Sequence, residues 1–427
     1  VLPQAGISLM RLLPMHVYRQ TLLLFTIVLA TLPALAQEAF TLDAAAQYAR
    51  THHPALQAAR EDVTAATANL RGAKAPRNPE IIITPGVLGP AGSDEFLSIS
   101  QALEINGARK ARAKAAAGQL QATDADRRVT EQEVLLAVRI AYWDLAQAQA
   151  ITAVDAENVR HAETLLIAAK KQVELGNEPT AHAMKVEVET VRVRQQLART
   201  QASVAQATAA LNTAMGRDPS TPMTLADAFT VPSMTFDEAT LYRLADAQRP
   251  ELASAQATIT VAQADVDAAR AARRPDLAVQ VRQEEWAGSG GVGLGVSLPL
   301  VDWGSAKAER RRAEATVVAQ EKRVEATRLA IRRDIATTLI AVRGAAAQLQ
   351  TLRDQVLQPA EKLAAMAQLG YQEGATNYLE VLEARRTLRA VNAEYLATLG
   401  EYHKALAQLT WAVGVEALPT PVKEVTR

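Results

Sequence analysis

Glu380 and Glu383 stand three positions apart in a segment of helical pattern, so both carboxylates share one helix face. Such a pair can ring a pore, attract a cation or face solvent, and on spacing alone a solvated face is the plainer reading. Other chemistry is harder to assemble. Of the 6 His, His52-His53 precedes Pro54, while His161, His182 and His403 are scattered, and none falls at ligand spacing. The 7 Met are dispersed, so a soft-metal site lacks its donors. With 0 Cys there is no disulfide, thiolate site, cysteine nucleophile or lipid-anchored cysteine. Gly288-Ser-Gly290-Gly-Val-Gly293 spells a dinucleotide fingerprint, but a strand pattern and Pro299 follow where the phosphate-binding helix should start. No order of Ser, His and Asp supports catalysis. We expect no enzyme, no cofactor and no resident metal. Formal net charge is +0, from 46 basic and 46 acidic residues, which removes the electrostatic footprint of a nucleic-acid binder.

The elements that must position these residues read mainly as helix. Of the 427 residues, 49% are hydrophobic but only 4% aromatic, as in long packed helices. At the start, Arg11, His16 and Arg19 precede the apolar run Thr21–Leu32, and Ala34 and Ala36 form a small-x-small site. That pattern predicts a secretory signal peptide over 1–36, because the run is too short to cross a bilayer. The remainder is one unit written twice. His53-Pro54-Ala-Leu56 returns as Arg249-Pro250-Glu-Leu252, Asn78-Pro79 as Arg274-Pro275, Gly107 as Gly304, Gly176 as Gly374 and Gly216 as Gly414. These landmarks place a first repeat at 37–216, a Pro-bearing joint at 217–233, a second repeat at 234–414 and a tail at 415–427.

Each copy reads helix, two strands, very long helix, tight turn, helix. Strands are expected at about 78–87, 94–103, 274–283 and 291–301, where the apolar period becomes two. Leu97 and Ile99 alternate with Ser98 and Ser100; Val292, Leu294, Val296 and Leu298 alternate with Gly293, Gly295 and Ser297. Strands of about ten residues can cross a membrane with this apolar set in lipid, and they equally fit a soluble hairpin with one buried face. Between Gly107 and Leu175 only Gly118 interrupts a helix on the order of 100 Å long. Val381, Leu388, Tyr395, Tyr402 and Leu409 recur every seven residues, with Ala384, Val391, Thr398, Ala405 and Ala412 in a parallel stripe of small side chains. Ile335, Val342, Leu349, Val356 and Leu363 continue the rule on the preceding helix, as do Val138, Leu145, Thr152, Val159 and Leu166 in the first copy. Sustained heptads mean coiled-coil seams. Pro359 should kink its helix.

Together these features resemble a TolC-type outer membrane efflux factor, over roughly Phe40 to Gly414. Ser100-Gln-Ala-Leu-Glu-Ile-Asn-Gly107-Ala-Arg109 is similar to a stretch of the CzcC/CusC-like heavy-metal cation efflux branch, with Ala102 in place of the usual proline. The resemblance implies a homotrimer with a shared transmembrane β-barrel and a long coiled-coil helical barrel, mainly α with a small β part. It places the protein in the outer membrane of a Gram-negative bacterium, with a large periplasmic portion. Partners would be outer-membrane lipid, a periplasmic adaptor and an inner-membrane RND-type pump. Gly374-Ala-Thr-Asn-Tyr-Leu-Glu380-Val-Leu-Glu383 is similar to the family's periplasmic tip. That match implies that Glu380, Glu383 and Tyr371 form the pore constriction, and that Gly176, His182 and Gly374 mark the tips where an adaptor docks. Thr376 stands where the family has arginine, and His182 where an acidic residue often sits. Leu97, Ile99, Val292, Leu294, Val296 and Leu298 would face lipid. The function implied is a passive exit duct, for heavy-metal cations on the branch match. An exit duct for drugs or secreted protein, or a soluble periplasmic coiled-coil scaffold, is the alternative.

Overall fold

The computed structural model describes residues 39–83, 95–231, 236–284, 290–297 and 303–418. The expected signal peptide, Leu298 and residues 419–427 lie outside the described residues. The first copy runs β1 (Ala39–Phe40), α1 (Leu42–His52), α2 (Pro54–Lys74), β2 (Glu80–Ile83), β3 (Glu95–Ala102), α3 (Ala108–Glu174) and α4 (Thr180–Met215). β4 (Thr224–Leu225) lies in the joint, and the second copy runs α5 (Glu238–Gln248), α6 (Pro250–Ala271), β5 (Asp276–Glu284), β6 (Gly290–Ser297), α7 (Ser305–Thr351), a π-helical turn (Leu352–Leu357), α8 (Gln358–Gln372) and α9 (Tyr378–Val413).

The opening helix of each copy is in fact two helices. His53 and Arg249 adopt extended backbone, at φ −66°, ψ 126° and φ −68°, ψ 117°, and the following proline begins the next helix. Proline excludes helical geometry from the residue before it yet suits the first helical position, where its missing N–H is no loss. The two breaks also serve packing. Gly216 and Gly414, both left-handed at φ 77° and 80°, end α4 and α9 directly against His53-Pro54 and Arg249.

All four strands of the main sheet are antiparallel, in the order β2-β3-β5-β6, so the central β3–β5 ladder joins the two copies. β1 and β4 pair in parallel, stitching the start of the first copy to the inter-repeat joint. Leu42 N–H donates to Asp227 Oδ2 at 2.7 Å, and the Tyr142 hydroxyl lies 2.9 Å from the same oxygen. Nearby, the His403 ring stacks on Trp143 at 3.8 Å and its Nε2 lies 2.8 Å from the Thr230 carbonyl. Between Thr224 and Thr230 the joint is therefore held to α1, α3 and α9.

α3 is 67 residues, roughly 100 Å, and packs on α2, α4, α6 and α9. It carries the sheet at one end and the α3/α4 turn at the other. The heptad seam of α9 is buried through Val381, Tyr402 and Leu409, and its small-residue stripe is buried throughout. On the partner helix the seam changes phase. Ile335, Val342 and Leu349 are buried, but Leu363 is 52% exposed and Ala360, Ala364 and Ala367 are buried instead. The π turn at 352–357 explains both this and Pro359. A π turn widens the helix by one residue, which accommodates the proline without a sharp break and shifts the apolar stripe one position downstream.

Added at Gly216, a Cβ would lie 3.0 Å from His53 Cα, whereas at Gly176 nothing lies within 4 Å. Gly176→Ala should meet only the left-handed penalty of about 1–2 kcal/mol. Gly216→Ala should lower the thermal unfolding midpoint clearly more, since backbone must move; equal shifts would mean the close approach is not constraining.

Candidate functional site

Strand register assigns each side chain of the sheet to a face. Ile81 pairs with Ile99, Ile99 with Val281, and Val281 with Val292; Val279 pairs with Leu294 and Leu277 with Val296. Side chains alternate along a strand, so these residues form one apolar face across both copies. That face is uncovered: Ile81 is 65% exposed, Val292 78%, Leu294 65% and Val296 63%. Leu97 lies on it, part-buried. The opposite face carries Ser98, Ser100, Gln280, Arg282, Gly291, Gly293 and Gly295. A Cβ on Gly293 would lie 3.7 Å from Arg282 Nη2, so the glycines leave room for long polar side chains from β5. Gly290, Gly291 and Gly293 belong to β6, a strand rather than a helix N-terminus, which removes the dinucleotide reading. At the corner between sheet and α3, Glu104 is held at φ 42° and accepts from Arg112 at 2.7 and 3.1 Å. Trp303, at φ 47° and 95% exposed, lies between the end of β6 and α7.

At the far end two helical turns lie side by side. Gly176 (φ 78°) and Gly374 (φ 75°) reverse the chain after α3 and α8. Thr376 donates from its backbone to Gly370 O at 3.2 Å and from Oγ1 to Ala367 O at 3.3 Å, so it caps the end of α8. Asn377 Oδ1 accepts from Glu380 N–H at 3.1 Å and caps α9. The structure brings His182 and Tyr371 together around Tyr378: the His182 ring is 5.3 Å from Tyr378, and Tyr371 packs with Tyr378, Ala169 and Val186. Burial, followed by the charge of Glu178, raises the pKa of Tyr371 and of Tyr378. Glu380 and Glu383 are not part of this cluster. Both are exposed, and neither carboxylate makes an ion pair or hydrogen bond among the described residues. Glu380 is also the third residue of α9, where its charge suits the helix N-terminus.

Between the tip and the inter-repeat joint lie two ion pairs that sequence reasoning missed. Arg389 Nε on α9 donates to Asp155 Oδ1 on α3 at 2.7 Å, and Asp155 is 2% exposed. One turn closer to the tip, Arg386 grips both oxygens of Glu189 on α4. The Arg386 hydrogen bond, against the opposing effect of burial, holds the Glu189 carboxyl below its ordinary value of 4.5. The signal that could have found the first of them is a charged residue among the seam positions: Asp155 lies between Thr152 and Val159.

The chain belongs to the outer membrane efflux protein family, whose model matches residues 45–217 and 241–415, one segment per copy. Its relatives include the cobalt-zinc-cadmium resistance protein CzcC of Cupriavidus metallidurans, 24% identical over 91% of this chain and 93% of that protein. The pyoverdine export outer membrane protein OpmQ of Pseudomonas aeruginosa is 27% identical over 75% of this chain and 68% of its own. The crystal structure of CusC superposes with a TM-score of 0.73 at 22% identity, covering 89% of this chain and 93% of that one. The fold is that of an outer membrane efflux channel.

Arg389→Ala leaves Asp155 buried without its partner and should destabilise by on the order of 3 kcal/mol. Arg310→Ala, which breaks an exposed pair with Glu314, should stay within about 0.5 kcal/mol. Because its folded pKa is depressed, Glu189 contributes stability that is present above pH 4.5 and lost as pH falls through the folded value. Arg386→Gln should flatten that acid limb in pH-dependent thermal melts; an unchanged slope would deny the pair its role.

Proposed function

We propose that three copies of this chain form the outer-membrane exit duct of a tripartite efflux system, and that its cargo is heavy-metal cations. The observation that carries the duct is the uncovered apolar face of a four-stranded sheet set about 100 Å from paired helical turns. In lipid the free edges of β2 and β6 would leave backbone donors and acceptors unsatisfied. Three copies of four strands close into a twelve-stranded barrel, an even number with no edge left. Gly, Ser, Gln and Arg then line the lumen, and Trp303 sits at the membrane–water boundary where amphipathic rings gather. A soluble scaffold would leave that apolar face in water. The helices extend into the periplasm of a Gram-negative cell, where the tips at Gly176, His182 and Gly374 meet an adaptor and, through it, an RND-type inner-membrane pump.

Similarity to CzcC over 91% of the chain supports metal cargo, and the exposed carboxylates supply a physical reason. Three chains bring Glu380 and Glu383 into two stacked acidic rings, with Tyr371 behind them bracing the constriction. Acidic rings draw cations by Coulomb attraction. Similarity to OpmQ supports the alternative, an organic cargo, for which the rings would matter little.

Replacing both glutamates by Gln, which preserves the helix cap, should lower cation selectivity in planar-bilayer conductance and weaken block by multivalent cations. Replacement by Lys should shift selectivity towards anions. Unchanged selectivity in both would reduce the pair to a solvated face. For the barrel, Val296→Arg should block membrane assembly, since Arg facing lipid at the midplane costs about 2–4 kcal/mol, while Ser297→Arg should assemble. Equal insertion of the two variants would reverse the face assignment.

A further inference from the structure

One cavity of the molecule is lined by more cations than the fold uses up. It lies between the two helical arms, walled by α3, α4, α8 and α9, with a volume of about 260 Å³. Four arginines reach it, Arg192, Arg385, Arg386 and Arg389, against a single lining carboxylate, Glu189. Arg386 already occupies both oxygens of Glu189, and Arg389 is committed to Asp155. Arg192 is 3.9 Å from a Glu189 oxygen that Arg386 holds more closely. Arg385 has no hydrogen bond or ion pair among the described residues, and its Nε is buried without an acceptor. Facing it from α3, Asn158 Nδ2 is likewise buried and unpartnered. His161 is the remaining ionisable group on that wall. Burial and the charge of Arg385 lower its pKa, and its Nε2 lies 3.0 Å from Glu157.

The unmet groups are donors, from two helices and of net positive charge. A buried donor without an acceptor is costly, and here two donor atoms, Arg385 Nε and Asn158 Nδ2, are buried on part-exposed residues. What relieves both at once is a small acceptor-only anion. We infer that this cavity binds a small oxyanion of phosphate or sulfate type, held between Arg385 of α9 and Asn158 of α3, with Arg192 at its mouth. Guanidinium matches such oxyanions through paired N–H donors, and 260 Å³ accommodates one with several waters. The ligand would tie the second copy's arm to the first copy's, beside the ion pairs already there. This inference does not rest on the cargo or on the duct reading.

The test is calorimetric titration of the full-length protein in detergent with inorganic phosphate, and separately with sulfate, at ionic strength held constant with chloride. One saturable site per chain is expected, tighter than about 1 mM, with a matching rise in thermal midpoint. Arg385→Gln should weaken binding at least tenfold, Arg385→Lys less, and Asn158→Ala, altered on the opposite helix, severalfold. Arg310→Gln, on an exposed ion pair near the start of α7 and outside the cavity lining, should bind as the parent does. Absence of saturable binding, equal weakening in Arg385→Gln and Arg310→Gln, or equal competition by chloride would overturn the site.

Discussion

The backbone ladder between β3 and β5 makes one molecule of two copies. A lone hairpin from either copy would be marginal in water, and would expose two unpaired edges in any apolar medium. Pairing β3 with β5 gives a four-stranded sheet whose apolar residues share a single face across the copy boundary. The register is demanding, because a slip of one residue would turn Val279 and Val281 to the polar face and Gln280 to the apolar one. Once that ladder is set, the strands hand over to α3 and α7 at fixed positions, and the arms leave the sheet side by side. Glu104, strained at φ 42° and clasped by Arg112, fixes the first of those corners. Arg112 also donates to the Ala75 carbonyl, so the corner, α2 and α3 are bound together.

The two arms are held to one another by contacts of different kinds along their length. At the inter-repeat joint the contact is aromatic: Trp143 of α3, Phe229 of the joint and His403 of α9 form one stack. Burial lowers the pKa of His403, against the opposing hydrogen bond to the Thr230 carbonyl. Midway, the small stripe of α9 lets it lie close to α3, and Arg389–Asp155 fixes the register. Towards the tip the contact is a few aromatics over small residues, with Tyr378 buried and its hydroxyl unpartnered.

Much of this was legible in the chain itself, because its signals were periodic. The duplication showed in Gly and Pro landmarks, which the structure turns into three repeat-related pairs of left-handed glycines. The long helix and the alternating strands followed from spacing alone. What was hidden depended on single residues acting at long range. Arg386 and Glu189 are 197 positions apart, and nothing local marks either one. The repeat pattern counts the opening segment of each copy as one helix, although Pro54 and Pro250 mark a boundary within it. The phase change at the π turn escaped because a heptad count assumes unbroken α geometry. Thr376 looked like a missing arginine and is a cap.

The single residue inserted before Pro359 has a consequence for whatever grips the arms. One extra residue rotates everything downstream by about 100°. α8 therefore turns Leu363, Met366 and Leu369 outward, where an unbroken helix would have hidden the first of them. α3, with no such turn, stays in phase along its length. The two arms of one chain are alike in length and ancestry but are no longer interchangeable as surfaces. A partner built from identical units would meet two different handholds in alternation, and would need either two modes of grasp or one that bends.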